Sequence, residues 1–321
     1  MDRHRARGRR ARPSRRKPLL YAAVASAVLV GATATGAVYM KAQAHDGPAV
    51  VSSAASASPS SSPAVNEEAS VEPVAEPSVD RDALLAKALK SVTVAAGAKT
   101  SVAVLDVDSG ESAAYGDAAF DTASIVKVNI LAALLLQAQD ADRHLSAREK
   151  TYATAMIENS DNASATALWA SIGRADGLGA ANKRFGLTDT RGGDGELWGL
   201  TRTTASDQLT LLRQVFGDES ELSAASRSYL QGLMGGIETD QRWGVSAAAD
   251  DGSRWALKNG WLARSTTGLW DINSIGRISA GGHDYLVATL SNGNSTQAKG
   301  ISLVEAVSTA AVSAFQDTAE G

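Results

Sequence analysis

The chain predicts an α/β fold of the α+β kind: one antiparallel sheet assembled from both ends of the folded part, flanked by terminal helices, with a central all-helical subdomain. Three observations predict it. Strand-like alternation with a turn signal occupies residues 101–115. A long stretch from about 122 to 234 carries only helical apolar spacing. Strand patterning then returns from 254 to 291, before a closing amphipathic helix. A cleft is expected where the helical block meets the sheet.

The elements follow in order. Asp82 to Ala96 has helical spacing through Leu84, Leu85, Ala88, Leu89 and Val92. Ser101 to Asp108 is rich in valine, Asp108-Ser109-Gly110 is a turn, and Glu111 to Tyr115 returns as a hairpin partner. Helices are predicted over 125–139, 147–158, 163–172, 177–185, 204–216 and 222–234. Strands are predicted over 254–261, 268–278 and 284–291, and a final helix over 301–315.

The N-terminus differs from the rest. Of 31 bases and 35 acids, nine bases and one acid fall in the first twenty residues, which leaves 22 bases against 34 acids in the body. An acidic body argues against nucleic-acid binding, because a phosphate backbone demands cationic surface. The basic flank Arg3–Lys17 precedes Leu19–Met40, about twenty residues without a charge. That is the layout of a signal peptide or signal anchor, long enough to span a bilayer. Ala42-Gln43-Ala44 offers a cleavage site, and Ser14-Arg15-Arg16 resembles a twin-arginine signal. The expected organisation is an export segment over 1–44, an Ala/Ser/Pro-rich linker over 45–80 and a folded domain over 81–321. The product is expected outside the cytoplasm, at the cell surface or secreted, touching the membrane only through its N-terminal segment.

Several chemistries are excluded at once. There is no cysteine, so disulfides, thiol nucleophiles and zinc ribbons are out. There is no H-E-x-x-H and no G-x-S-x-G elbow, and two of the four histidines (His4, His45) precede the folded part. No metal or other cofactor is implied.

Three short motifs fall at junctions of the layout. Ser124-Ile-Val-Lys127 opens a helix, which puts both side chains on one face a turn apart. A serine hydroxyl needs a base within reach, and a lysine serves only when burial or positive charge lowers its pKa. Lys127 sits among valines ahead of an apolar run, where a lysine without a task is costly. The spacing alone is weak, since Ser14-Arg-Arg-Lys17 matches it too. Ser160-Asp161-Asn162 lies between two helical patterns; the same residues also read as a helix cap. Lys258-Asn259-Gly260 opens the returning strands; a lysine there can attract a carboxylate, and the glycine lets a ligand backbone approach.

Taken together and in this order, the motifs match the S-x-x-K, S-D-N and K-T-G set. Over roughly 82–316 the sequence resembles the class A β-lactamases and their penicillin-binding relatives, with a β-lactamase/transpeptidase-like fold. Thr203-Thr204-Ala205 and Arg242-Trp243-Gly244-Val245 strengthen the resemblance. It implies that Ser124 is acylated, that Lys127 helps remove its proton, and that Ser160 relays a proton to the leaving nitrogen. Asn162 would bind the substrate amide. Lys258 would hold Ser160 and the substrate carboxylate, with Asn259 and Gly260 beside it. The backbone N–H groups of Ser124 and Trp261 would form the oxyanion hole, and Arg242 or Arg264 would grip the carboxylate. The implied partner is a small-molecule β-lactam or a peptidoglycan peptide, met by a monomer.

The sequence departs from the family pattern in four places. Ser124 and Ser160 are closer in sequence than is usual for class A, which implies a more open cleft. Asn259 replaces a hydroxyl residue, and Trp261 brings bulk to the oxyanion position. The loop Asp189–Leu200 is short, and Glu196 is its one glutamate, either the base that activates the deacylating water or a solvated loop residue. β-Lactam hydrolysis, a D-alanyl-D-alanine peptidase or slow penicillin-binding protein, and an inert wall-binding or sensor domain all stay open at this point.

Overall fold

The computed structural model describes residues 79–316, all within the compact unit Pro73–Gly321. The expected export segment, and the expected linker up to residue 78, lie outside the described residues.

Helix α1 (Arg81–Leu89) leads into the hairpin β1 (Lys99–Asp106) and β2 (Ser112–Tyr115). The short strand β3 (Phe120–Asp121) precedes the helical block: α2 (Val126–Asp140), α3 (Ala147–Glu158), α4 (Asn162–Ser171) and α5 (Arg174–Phe185). Strand β4 (Arg202–Thr203) is followed by α6 (Ala205–Phe216) and α7 (Ala224–Gly235). The chain returns through β5 (Trp255–Ala263), β6 (Trp270–Ala280) and β7 (His283–Asn294) and closes with α8 (Gln297–Gln316).

The five long strands form one sheet in the order β2-β1-β7-β6-β5, with every neighbouring pair antiparallel. Both chain ends therefore meet in the β1–β7 pairing. Because successive side chains point to opposite faces, each strand feeds two cores. Val102 and Val104 of β1, with Val287 of β7, pack with Leu85 of α1 and Val307 and Phe315 of α8. Ala103, Leu105, Ala288 and Leu290 face the helical block instead. Helix α8 is long and apolar enough to cross a membrane, yet half of it is buried, and Leu303, Val307, Ala311 and Val312 belong to the first of these cores.

The first helix is shorter than its apolar spacing suggests. It ends at Leu89, and the N–H groups of Lys90, Ser91 and Val92 close turns onto carbonyls three residues back. The β-branched run Val92-Thr-Val94 that follows suits extended backbone better than a helix. The sequence patterning also gave no sign of the two-residue pair β3–β4, which ties the loop before α6 to the segment before α2.

Helix α2 is buried on nearly every side from Val126 to Leu136, the behaviour of a helix threaded through the middle of a core. Its N-terminus lies against the edge strand β5, and this places the site.

Candidate active site

Ser124 sits in a short 3-10 turn, Ala123–Ile125, immediately before α2. Ala123 has φ 48°, a left-handed conformation that costs a non-glycine residue about 1–2 kcal/mol. The surroundings hold it there. The N–H of Thr122 donates to Thr201 O at 2.8 Å, and the buried Asn273 amide donates to the carbonyls of Asp121 and Thr122 at 2.9 and 3.0 Å. Gly260 of β5 presses on the same turn. A Cβ built on it would stand 2.7 Å from Thr122 O, 2.8 Å from Ser124 N and 2.9 Å from Ile125 N. The glycine is required by this close approach and not by its φ angle.

Lys127 is fully buried. Its ammonium donates to Ser160 O at 2.6 Å, Ser160 Oγ at 3.0 Å and Asn162 Oδ1 at 2.8 Å. These three bonds use all the hydrogens of the group. Burial lowers its pKa to about 7, against a smaller opposing effect of the Asp161 carboxylate. A lysine tuned this way exists partly as the free amine near neutral pH.

The Ser160-Asp161-Asn162 stretch divides its work by residue. Asp161 is the N-cap of α4, accepting from Ser164 N at 2.6 Å, and this and its other local hydrogen bonds, chiefly, lower its pKa. Ser160, the single residue between Asn159 at the end of α3 and that cap, takes φ 55°. The strained turn aims both its carbonyl and its hydroxyl at Lys127. Capping and lysine binding are therefore both true of this stretch.

Lys258 is also fully buried, and its pKa lies well below the ordinary lysine value, first through desolvation and then through the charge of Lys127. Its Nζ donates to Asn259 O at 3.0 Å and Gln241 Oε1 at 3.4 Å. Ser160 is thus held by Lys127 and not by Lys258. Asn259 departs from its expected place on the substrate. It is buried, and its amide donates to the carbonyls of Gln241 and Trp243 at 2.7 and 2.9 Å. A side chain with both N–H groups committed to backbone binds the segment before β5 in place of a ligand.

Of the remaining expected residues, Arg242 falls elsewhere. Arg242 is exposed, with its guanidinium 5.0 Å from the ring of Trp255 at the start of β5. Trp255 is six residues before Trp261, roughly 20 Å along an extended strand. Of the two arginines considered for a substrate carboxylate, Arg264 lines the cleft, held by Asp121 and by Asp271 at 3.7 Å. Glu196 lies at the cleft wall, but its carboxylate pairs with Arg174 at 2.6 Å and is half exposed.

The cleft has a volume of about 640 Å³ and brings together Ser124, Asn162, Glu196, Trp198, Trp261 and Arg264. Trp261 packs against Trp243 with ring centroids 6.0 Å apart. The sequence reading gave Trp198 no role, yet its ring lies 5.0 Å from Lys127 Nζ and its Nε1 donates to Thr166 Oγ1 at 3.1 Å. Its place in a short glycine-rich loop was the available signal. Asn273 and Gln241 left none, being ordinary polar residues within strand and loop sequence.

Comparison with known proteins adds three findings. The beta-lactamase enzyme family matches residues 84–151 and 147–315. No curated protein matches the chain. Among solved structures, a beta lactamase from Xanthomonas campestris pv. campestris str. ATCC 33913 superposes with TM-score 0.61 at 21% identity, covering 73% of this chain and 97% of that one. A variant of the last common ancestor of Gram-negative bacteria beta-lactamase class A gives 0.62 at 22%, covering 75% and 100%. PBP-A gives 0.63 at 21%, covering 73% and 96%. At such identities the likeness carries the fold.

Proposed function

From the premise that the chain belongs to the beta-lactamase enzyme family, we propose that it is an active-site-serine hydrolase that opens β-lactam amides through an acyl-enzyme on Ser124. The observation that carries the reading is the buried Lys127, part amine at neutral pH, bonded to Ser160 and Asn162 and one helical turn from Ser124.

In this reading the Lys127 amine takes the proton of Ser124 Oγ, and Oγ attacks the lactam carbonyl. The oxyanion forms beside the N–H groups of Ser124 and Trp261. The carbon–nitrogen bond breaks, and the nitrogen receives a proton through Ser160, which the Lys127 ammonium can replenish along their 3.0 Å hydrogen bond. Asn162 meets the substrate amide, and Arg264, which lines the cleft, supplies positive charge for its carboxylate. Water then attacks the ester and frees Ser124. The basic flank and apolar run of the N-terminus support a place outside the cytoplasm, with the folded unit acting as a monomer.

A penicillin-binding peptidase acting on a peptidoglycan peptide is the second reading. The engagement of Glu196 with Arg174 favours it, because among the described residues Glu196 is the carboxylate that lines the cleft and it is paired away from a deacylating water. The solved structures similar to this chain include a PBP-A mutant as its acyl-enzyme complex with penicillin G.

The test is the intact mass of the full chain, kept in detergent, followed over time with excess penicillin G. An adduct on Ser124 that decays as antibiotic is consumed supports the hydrolase, and one that persists supports the peptidase. Unmodified Ser124 with unconsumed antibiotic would overturn both.

A further inference from the structure

We propose that Trp198 is a positioning residue that closes the water side of Lys127, so that its loop favours acylation of Ser124 and holds back hydrolysis of the acyl-enzyme. This rests on the acyl-serine reading above and names what controls its second half.

Lys127 sends its three hydrogens to Ser160 and Asn162, and the Trp198 ring lies 5.0 Å from its Nζ. The ring has a fixed position. Its Nε1 bonds to Thr166 Oγ1 at 3.1 Å, one helical turn beyond Asn162 on α4, so a single helix anchors both the lysine's acceptor and its cover.

The loop is braced along its length. Trp169 Nε1 donates to Gly195 O at 2.8 Å, Gly193 N to Thr201 Oγ1 at 3.2 Å, and Leu200 N to Leu197 O at 2.8 Å. It also packs too closely for side chains at its first two glycines. A Cβ on Gly192 would stand 2.8 Å from Ala175, and one on Gly193 would stand 2.1 Å from Leu197 O. The same loop directs Glu196 to Arg174. A loop that could present a carboxylate to water beside the ester presents an indole to the lysine.

The chemical consequence is two-sided. A dry, ring-covered lysine releases its proton more readily than a hydrated one, although the ring face itself favours the ammonium. For Lys127 burial lowers the pKa by more than the Asp161 carboxylate raises it. Hydrolysis needs a water at that lysine. The water oxygen must bond to the acyl carbon while its proton passes to the amine. The ester bond to Ser124 Oγ must then break, with Oγ taking a proton back from the ammonium. An indole over Nζ keeps that water out. The charged groups that bear on Lys127 are Asp161 at the head of α4 and Lys258 on β5, and neither moves with the loop.

The experiment compares Trp198→Ala, Trp198→Phe and Thr166→Val with the parent full chain. Adduct formation and decay with penicillin G are followed by intact mass from pH 5 to 9. Trp198→Ala is expected to raise the pH midpoint of acylation by about one unit, slowing acylation at pH 7 roughly fivefold. Its adduct should decay roughly tenfold faster. Trp198→Phe, which keeps a ring, should restore much of the parent behaviour. Thr166→Val alters only an exposed partner, so it tests the idea should Trp198→Ala fail to fold, and it should shift both readouts in the same direction by less. Parent-like midpoints and adduct lifetimes in folded variants would overturn the role of Trp198 while leaving the acyl-serine reading intact. A parent that forms no adduct would overturn that reading first.

Discussion

If Lys127 is the base that activates Ser124, acylation must follow its titration. Burial places its pKa at about 7. At pH 7 about half the molecules then carry the amine, whereas a lysine of ordinary pKa would carry it in roughly one molecule in three thousand. Burial on α2 therefore raises the reactive population on the order of a thousandfold. Below pH 7 the rate of acylation by penicillin G should fall toward tenfold per unit, roughly 50-fold between pH 7 and pH 5, and it should level off above about pH 8. The Asp161 carboxylate, whose pKa is lowered, stays ionised over this range and adds no step of its own. Lys127→Arg keeps a positive charge, but a guanidinium does not lose its proton, so acylation should be abolished across the range. Quenched-flow sampling with intact-mass detection of the Ser124 adduct reads both. A rate flat from pH 5 to pH 8, or a Lys127→Arg variant that acylates like the parent, would refute the assignment.

Other expectations come from the same geometry. Gly260→Ala forces a Cβ into the Ser124 turn and should lower stability by about 1–3 kcal/mol in urea titration, with acylation falling more than the stability loss explains. Asn259→Ala frees the buried carbonyls of Gln241 and Trp243 and should cost about 2–4 kcal/mol, read as a lower urea midpoint. Glu196→Ala removes an exposed ion pair with Arg174 and should leave the adduct lifetime within about twofold of the parent; a trapped acyl-enzyme would restore Glu196 as the deacylating base. Asp271 has its pKa raised to about 6, chiefly by desolvation. Its folded form binds a proton more tightly than its unfolded form, so it favours folding below about pH 4 and loses that contribution as pH rises through 6. Asp271→Asn should flatten the melting temperature between pH 4 and pH 6.

The fold was legible because its signals are local. Alternating strand residues at 101–105 and 284–290 and the unbroken apolar run after Lys127 each declare their element without reference to the rest of the chain. The motif residues Ser124, Lys127, Ser160 and Asn162 were legible for a related reason. A helix start and a tight interhelical turn place side chains by short-range geometry, and the structure brings Ser160 and Asn162 into hydrogen bonds with Lys127.

Where sequence reading failed, the deciding contact was long-range. Asn259 follows a motif lysine, yet its amide is taken by carbonyls 16 and 18 residues back in the chain. Arg242 looks available until β5 brings Trp255 beneath it. Glu196 and Trp198 stand two residues apart in one loop, and only packing against α4 and α5 sends one to Arg174 and the other to Lys127. The sequence by itself determined the elements, their order and the chemical types at the cleft, since these depend on propensity and spacing between near neighbours. The tertiary structure alone decided which polar group each buried donor meets and how dry Lys127 becomes, because desolvation and hydrogen-bond partnership belong to the packed ensemble of elements and to no single segment of the chain.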